Sequence, residues 1–317
     1  MRRVIGLLWQ KGVKSLWRRQ DGSAAVLVAL ALVVLLAMVG TVTDVGLVFL
    51  YKYRLSNALD AAALAGAQEL PENPEKAREK AREYAEKNGV DPATITVEIS
   101  DDGREIRVAG EKEVQLLFAK VLGYTKSRVN STSAARVGGI TRVVGAAPLG
   151  IEEQPFQYGE EYVLKVGGGE GSYGWFGPLS LGGSGANVYR INLMYGYDRE
   201  LKVGDIVPTE TGNMSGPTED GIEYRIQSCN HIPKCTYDHY VRGCPQVLLV
   251  PVIRPIKDSS NQVKEVQVVG FGAFFVEDVA GSGNECTVTG RFIHYLYPGD
   301  VDFNQVYYGL KGVKLVR

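Results

Sequence analysis

From Gly22 to Thr43 the chain carries no charged side chain. A helix over that run of about 22 residues, rising ~1.5 Å per residue, spans the ~30 Å hydrocarbon core of a bilayer. The preceding segment holds Arg2, Arg3, Lys11, Lys14, Arg18 and Arg19 against a single acid, Asp21. The positive-inside bias therefore places the N-terminus in the cytoplasm and the chain beyond Leu50 outside, with Lys52 and Arg54 opposing this. Within residues 1–22, Ile5, Leu8, Trp9, Val13, Leu16 and Trp17 recur at helical spacing among basic residues. That pattern fits a basic amphipathic helix on the inner leaflet or a basic tail without fixed structure. A cleavable signal is disfavoured, because "ALAGA" lies far beyond an apolar run already longer than the ~7–15 residues of a signal core.

Asp44 ends the run, ~32 Å along the helix axis from Ser23. It reads as an acid at the outer interface or as the partner of a cation on a neighbouring chain, Lys52 or Arg54. Beyond it, "VFLYKYRLSNALDAAALAGAQEL" has no Pro and is rich in helix formers. The helix is expected to continue as a stalk over residues 23–70. Leu55, Ala58, Leu59, Ala62, Ala63 and Gly66 form a stripe at i, i+3, i+4 spacing. Small residues there admit a second helix, from another chain or from the next helix of this one.

The basic flank, "DGSAAVLVALALVVLLAMVG", Asp44-Val45-Gly46 and "LSNALDAAALAGA" together resemble the N-terminal segment of the TadE/TadG-like (Tad) family of Flp pilus-assembly membrane proteins, over about residues 18–67. The resemblance implies a single-pass, cytoplasm-in bacterial protein that works with a pilus or secretion machine. Its partners would be membrane lipid and other pilus-assembly membrane proteins or pilin subunits. It marks Asp44, Gly46, Leu55, Leu59, Asp60, Ala62, Ala63 and Gly66 as helix-packing and interface residues. Prepilins of the wider group are cut after a Gly and carry Glu at the fifth following position. Here Gly22 is followed at that position by Leu27. No cut is expected, and an assembly component fits better than a pilin.

Residues 71–139 read as a small α+β unit. "PENPEKAREKAREYAEKNGV" is a charged helix with Asn73-Pro74 at its start and Gly89 at its end. "TITVEIS" and "REIRVAG" form a hairpin around Asp101-Asp102-Gly103. "EVQLLFAKVLG" reads as a short helix ending at Gly123, and "SRVNSTSAARVGGI" as extended. From residue 148 to 317 the texture is mainly β. "EEYVLKV", "NVYRINLMY", "QVLLVPVI", "EVQVVGFGAFFVEDV" and "CTVTGRFIHYLY" are bounded by Gly, Pro and Asn. One helix is expected there, in "GNMSGPTEDGIEYRIQS". The fold class is α+β: a transmembrane helix continuing as a stalk, a small α+β unit, and a mainly-β extracytoplasmic domain.

No catalytic constellation is complete. "GEGSYG" (Gly169 to Gly174) fits G-x-G-x-x-G but lacks the following helix that dinucleotide binding requires. "GGSGA" around Ser184 departs from a nucleophile elbow at Ala186, and no helix is evident after it. The three His (His231, His239, His294) stand in no triad context. "DVDFN" (Asp300 to Asn304) lacks the Gly and terminal Glu of a calcium loop. With 35 Lys+Arg against 36 Asp+Glu, the net charge of −1 argues against nucleic-acid binding. A non-enzymatic chain without a cofactor is expected.

"SCNHIPKCTYDHYVRGC" is the strongest local cluster, with Cys229, His231, Cys235, His239 and Cys244. Its spacings are not those of standard zinc fingers. An external location favours disulfides, which would draw in Cys286, most naturally as Cys229–Cys235 and Cys244–Cys286. Free thiols and a metal site remain open.

Overall fold

The computed structural model describes residues 21–166, 176–210, 212–257, 263–281 and 286–316. The N-terminal basic segment and the "GEGSYG" motif lie outside them. The chain divides into two compact units. The first holds residues up to Ala62, Arg82–Val97 and Val108–Ser133; the second holds Ala63–Ala81, Glu98–Arg107 and everything from Ala134.

Helix α1 (Asp21–Ala67) is continuous, about 70 Å long at ~1.5 Å per residue. Among the described residues it is the one helix long and apolar enough to cross a membrane. Its apolar side chains from Val26 to Met38 are solvent-exposed. Thr41 and Thr43 turn their hydroxyls back onto the Ala37 and Val39 carbonyls at 2.9 and 2.8 Å, so neither asks for an outside partner. From Leu55 onward the expected stripe is buried: Leu55, Ala58, Leu59, Ala62, Ala63 and Gly66 all lie inside this chain.

In the first unit, strands β1 (Ile95–Ile99) and β2 (Glu105–Gln115) bear on α1. A Cβ on Gly110 would stand 3.0 Å from Ile95 and 3.4 Å from Leu59, so the strand backbone lies close over the helix. Glu105–Arg107 of β2 falls in the second unit, as does Glu98–Ile99 of β1.

Helix α2 (Pro74–Lys87) begins at a Pro after the capping side chain of Asn73, and in the second unit its part up to Ala81 meets the end of α1. Ala77, Ala81 and Ala85, one helical turn apart, are fully buried on one face of this otherwise charged helix. A Cβ on Gly66 would meet the Ala77 carbonyl oxygen at 2.8 Å and Ile106 at 2.6 Å. Alanine is the better helix former by about 1 kcal/mol. Here the backbone contact reverses that preference, and Gly66→Ala is expected to destabilise the protein by about 1–3 kcal/mol. Thermal unfolding followed by circular dichroism in detergent measures this; a higher midpoint would refute the close approach.

Two larger sheets follow. The first has the order β1-β2-β3-β15-β13, with β14 also on β3: β3 is Lys126–Ile140, β13 Tyr295–Leu296, β14 Val301–Asp302 and β15 Leu310–Val316. β15 runs antiparallel to β3, with Val313 opposite Val137. The second has the order β6-β12-β11-β10-β5-β7, with β9 also on β11. Its strands are β5 (Leu149–Glu152), β6 (Glu161–Val166), β7 (Phe176–Pro178), β9 (Ile206–Pro208), β10 (Val247–Lys257), β11 (Val263–Ala280) and β12 (Cys286–Ile293). A two-stranded piece pairs β4 (Arg142–Val144) with β8 (Glu200–Lys202).

The second sheet is covered on both faces. Leu248, Val250, Phe274 and Phe292 pack with Tyr189, Leu193 and Ile222 of helices α3 (Ala186–Tyr195) and α4 (Ser215–Gln227). Val247, Phe271, Ala273 and Phe275 pack with Val143, Leu201 and the cysteines of the 229–244 loop. Two buried faces explain why β11 reads as the unbroken run "VGFGAFFV".

Two expected elements differ. "NVYRINLMY" is helix α3, not a strand. Its β-branched and aromatic residues suit either state, but Tyr189 and Leu193 are buried one turn apart, with Gly185 and Gly196 at positive φ bounding the helix. "EVQLLFAKVLG" is not a short α-helix. β2 continues through Gln115 with Val114 buried, and only a 3-10 turn, Ala119–Leu122, follows before Gly123 ends it at φ 91°. The charged hairpin at Asp101-Asp102-Gly103 and helix α4 form where the sequence places them.

Candidate functional site

Three clusters of polar side chains stand out. The first is Asp44, which is buried although Val42, Val45 and Phe49 on α1 are exposed. Its Oδ1 accepts the Leu117 N–H at 2.7 Å, and its Oδ2 accepts those of Phe118 at 3.1 Å and Ala119 at 2.6 Å. These are the amides that open the 3-10 turn and have no partner within it. The carboxylate caps the β2–β3 loop from about 70 residues away in sequence, so within this chain its partners are backbone amides. Gly40, one turn before Asp44, leaves room for Phe118: a Cβ there would stand 2.9 Å from the Phe118 Cβ. The loop holds Leu117, Phe118, Val121, Leu122 and Tyr124 outward, Val121 at 85% exposure. Between this apolar finger and Val33, Leu36 and Ala37 of α1 runs a groove of about 660 Å³.

The second cluster surrounds Glu72, just past the end of α1. Lys311 on β15 is buried. Its ammonium donates to the Leu70 carbonyl at 2.7 Å and pairs with Glu72 Oε2. Glu72 Oε1 accepts from the Tyr307 hydroxyl at 2.7 Å and lies 2.8 Å from His294 Nδ1. The Tyr158 ring lies 3.8 Å from that of His294, centroid to centroid, and the Tyr240 hydroxyl donates to the His294 carbonyl. Burial works against ionised Glu72, but His294 and Lys311 outweigh it and hold the carboxyl below its ordinary value. Burial lowers the Lys311 pKa and pushes Tyr240 up to about 12. These residues wall a cleft of about 730 Å³ that also receives Asp238 and Arg242. Every oxygen of Glu72 is engaged, so the cluster acts as a clasp between the corner after α1 and β15. Sequence reasoning missed it, since Glu72 and Lys311 carry no local mark of their pairing.

The third cluster lies in the loop between α4 and β10. Cys229, His231, Cys235 and Cys244 bring their ligand atoms within 4.8 Å of one another. Burial disfavours the thiolates. At Cys229 the Cys235 amide, the His231 side chain and amide, and the Cys244 thiol outweigh burial and lower the pKa. At Cys244 burial and the neighbouring sulfurs raise it. His239 is exposed and outside the group. All four cysteines are free thiols; Cys286 packs in the core cluster on the other face of the sheet, which separates it from Cys244.

The remaining sequence candidates are dispersed. Gly46 is exposed with open space around it, and Asp60 is half-buried. Ser184 is exposed and, contrary to the sequence reading, does precede a helix, α3. His231 and His294 are engaged in the other two clusters, and His239 is solvent-exposed. In "DVDFN", Asp302 accepts the Asn304 amide in a local turn at the end of β14.

Residues 22–69 match the model of the Tad family, described as "Putative Flp pilus-assembly TadE/G-like". The match covers α1 from Gly22 onward and the two residues after it. No curated protein and no solved structure matches the chain.

Proposed function

We propose that this chain, carrying a Tad-type segment at residues 22–69, is a non-enzymatic single-pass membrane component of a Flp/Tad-type pilus assembly or secretion apparatus. The observation that carries this reading is the division of α1 within that segment. Its first half is apolar and exposed, as a lipid-facing span must be. Its last three to four turns, from Leu55, are core for this chain's own fold. The basic residues before Gly22 support a cytoplasmic N-terminus, with the β-rich bulk outside. Partners would be membrane proteins or pilin subunits of the same machine, meeting the exposed half of α1. The cleft beside Glu72, lined by Tyr158, Tyr240 and Arg242, favours a second reading: a tethered binding or adhesion domain on a borrowed anchor.

Photo-crosslinkers placed along α1 in the native cell distinguish the two. Assembly predicts protein adducts from Val34 or Val42 and none from buried Ala62. Full function after replacing residues 23–43 with an unrelated apolar helix would instead support the borrowed anchor.

The apolar finger belongs to the same reading. Its exposed side chains flank the apolar half of α1, and water would solvate them poorly. The finger is therefore expected to sit in the outer leaflet. A nitroxide on Leu122→Cys, selective because the four native cysteines are buried, should show high collision with oxygen and low collision with a water-soluble nickel chelate. The reverse ratio would place the finger in water.

A further inference from the structure

We propose that Cys229, His231, Cys235 and Cys244 bind one zinc ion in a closed, structural Cys3His site. The distances fit the ion. Tetrahedral zinc with Zn–S of ~2.3 Å and Zn–N of ~2.0–2.1 Å has S···S edges of about 3.8 Å and S···N edges of about 3.6 Å. Here Cys229 Sγ lies 3.6 Å from Cys244 Sγ and 3.6 Å from His231 Nδ1, and Cys235 Sγ lies 3.4 Å from His231 Nδ1. A disulfide fits less well: it needs sulfurs at ~2.05 Å, and one bridge among three thiols leaves the third and the imidazole unused. Three thiolates and an imidazole form a soft donor set that suits zinc and leaves no position for water.

The surroundings are those of a metal knuckle. All three sulfurs are buried. The Val241 N–H points at Cys235 Sγ at 3.4 Å, the type of amide contact that orients a ligating thiolate. Between α4 and β10 the chain runs through residues 228–246 without a helix or strand. So long an irregular loop inside a compact fold needs something to hold it. The ion supplies that hold, and it fixes the cleft wall. The Tyr237 ring lies 4.6 Å from the Arg291 guanidinium, and the Gly243 amide donates to the Tyr295 hydroxyl.

Binding releases the protons of the ligating thiols and changes no oxidation state. The test uses the full chain, purified in detergent without chelator. Elemental analysis should find about one zinc per chain, and Cys235→Ser should remove at least nine-tenths of it, while Cys286→Ser leaves it unchanged. Because Cys235→Ser can fail by misfolding, the metal is also exchanged for cobalt(II). The native chain should then give the d–d bands of a tetrahedral site with sulfur-to-cobalt charge transfer. His231→Cys should keep the metal and strengthen that charge transfer through a fourth thiolate. Zinc well below one per chain with the thiols reduced, a disulfide among Cys229, Cys235 and Cys244 in the native protein, or a cobalt spectrum unmoved by His231→Cys would each overturn the proposal.

Discussion

Replacing Glu72 with Gln is expected to destabilise the protein by about 3–5 kcal/mol, the usual cost of stranding one member of a buried ion pair. The magnitude follows from where the charge would be left. Lys311 is 4% exposed, and without the carboxylate its ammonium loses its contact ion pair and keeps neutral oxygens, the Leu70 carbonyl and the amide oxygen of the new side chain, with Glu69 acting on it only at longer range. That loss is a large share of a typical folding stability of about 5–15 kcal/mol. Removing both charges should cost less than removing one, so Glu72→Gln with Lys311→Met is expected to recover part of the loss. Chemical denaturation in a constant detergent measures both, and a wild-type midpoint for Glu72→Gln would dismiss the clasp. The pH dependence has a definite sign. The folded carboxyl titrates below its ordinary value of 4.5. Its contribution is complete above that value and is lost as the pH falls through the folded pKa. The wild type should therefore weaken more steeply than Glu72→Gln on acidification below pH 4.5.

Asp44→Ala is expected to release the apolar finger. The carboxylate accepts three backbone amides, and each amide left without a partner away from water costs about 1–3 kcal/mol. Amide hydrogen exchange in lipid nanodiscs gives a local readout. Protection at Leu117, Phe118 and Ala119 should drop about a hundredfold or more, the equivalent of about 3 kcal/mol. Amides in β10, β11 and β12 should keep theirs. Asp44→Asn retains one accepting oxygen and should lie between the two. Unchanged exchange at Leu117 to Ala119 in Asp44→Ala would mean that the finger is held by its apolar side chains alone.

The sequence made α1 legible because an uncharged run followed by a small-residue stripe leaves few alternatives to one long helix. The β-rich second half was equally plain from its alternating runs and turn residues. Where the reading failed, the deciding contact was distant. "EVQLLFAKVLG" has helical composition, but the amides of Leu117 to Ala119, which a helix would give to the carbonyls of the preceding turn, are taken by Asp44. "NVYRINLMY" has strand composition, but Tyr189 and Leu193 found a covered face at helical spacing, with the Tyr189 hydroxyl bonded to Thr218. The Cys229 to Cys244 cluster was visible as a set of residue types, yet only the fold separated Cys286 and His239 from it. The Glu72 clasp left no local trace.

The same clasp bears on how the chain is made. Lys311 Nζ closes on the carbonyl of Leu70 across 241 positions of sequence, so β15 is synthesised long after α1. At roughly 5–20 residues per second, the corner after α1 stays unlatched for tens of seconds after its own residues emerge. Through that interval its partner strand does not yet exist. Until then, the Glu72 carboxylate and the Leu70 carbonyl lack the ammonium that closes on them. A chain whose synthesis stops short of Lys311 carries α1 but cannot latch the corner that follows it.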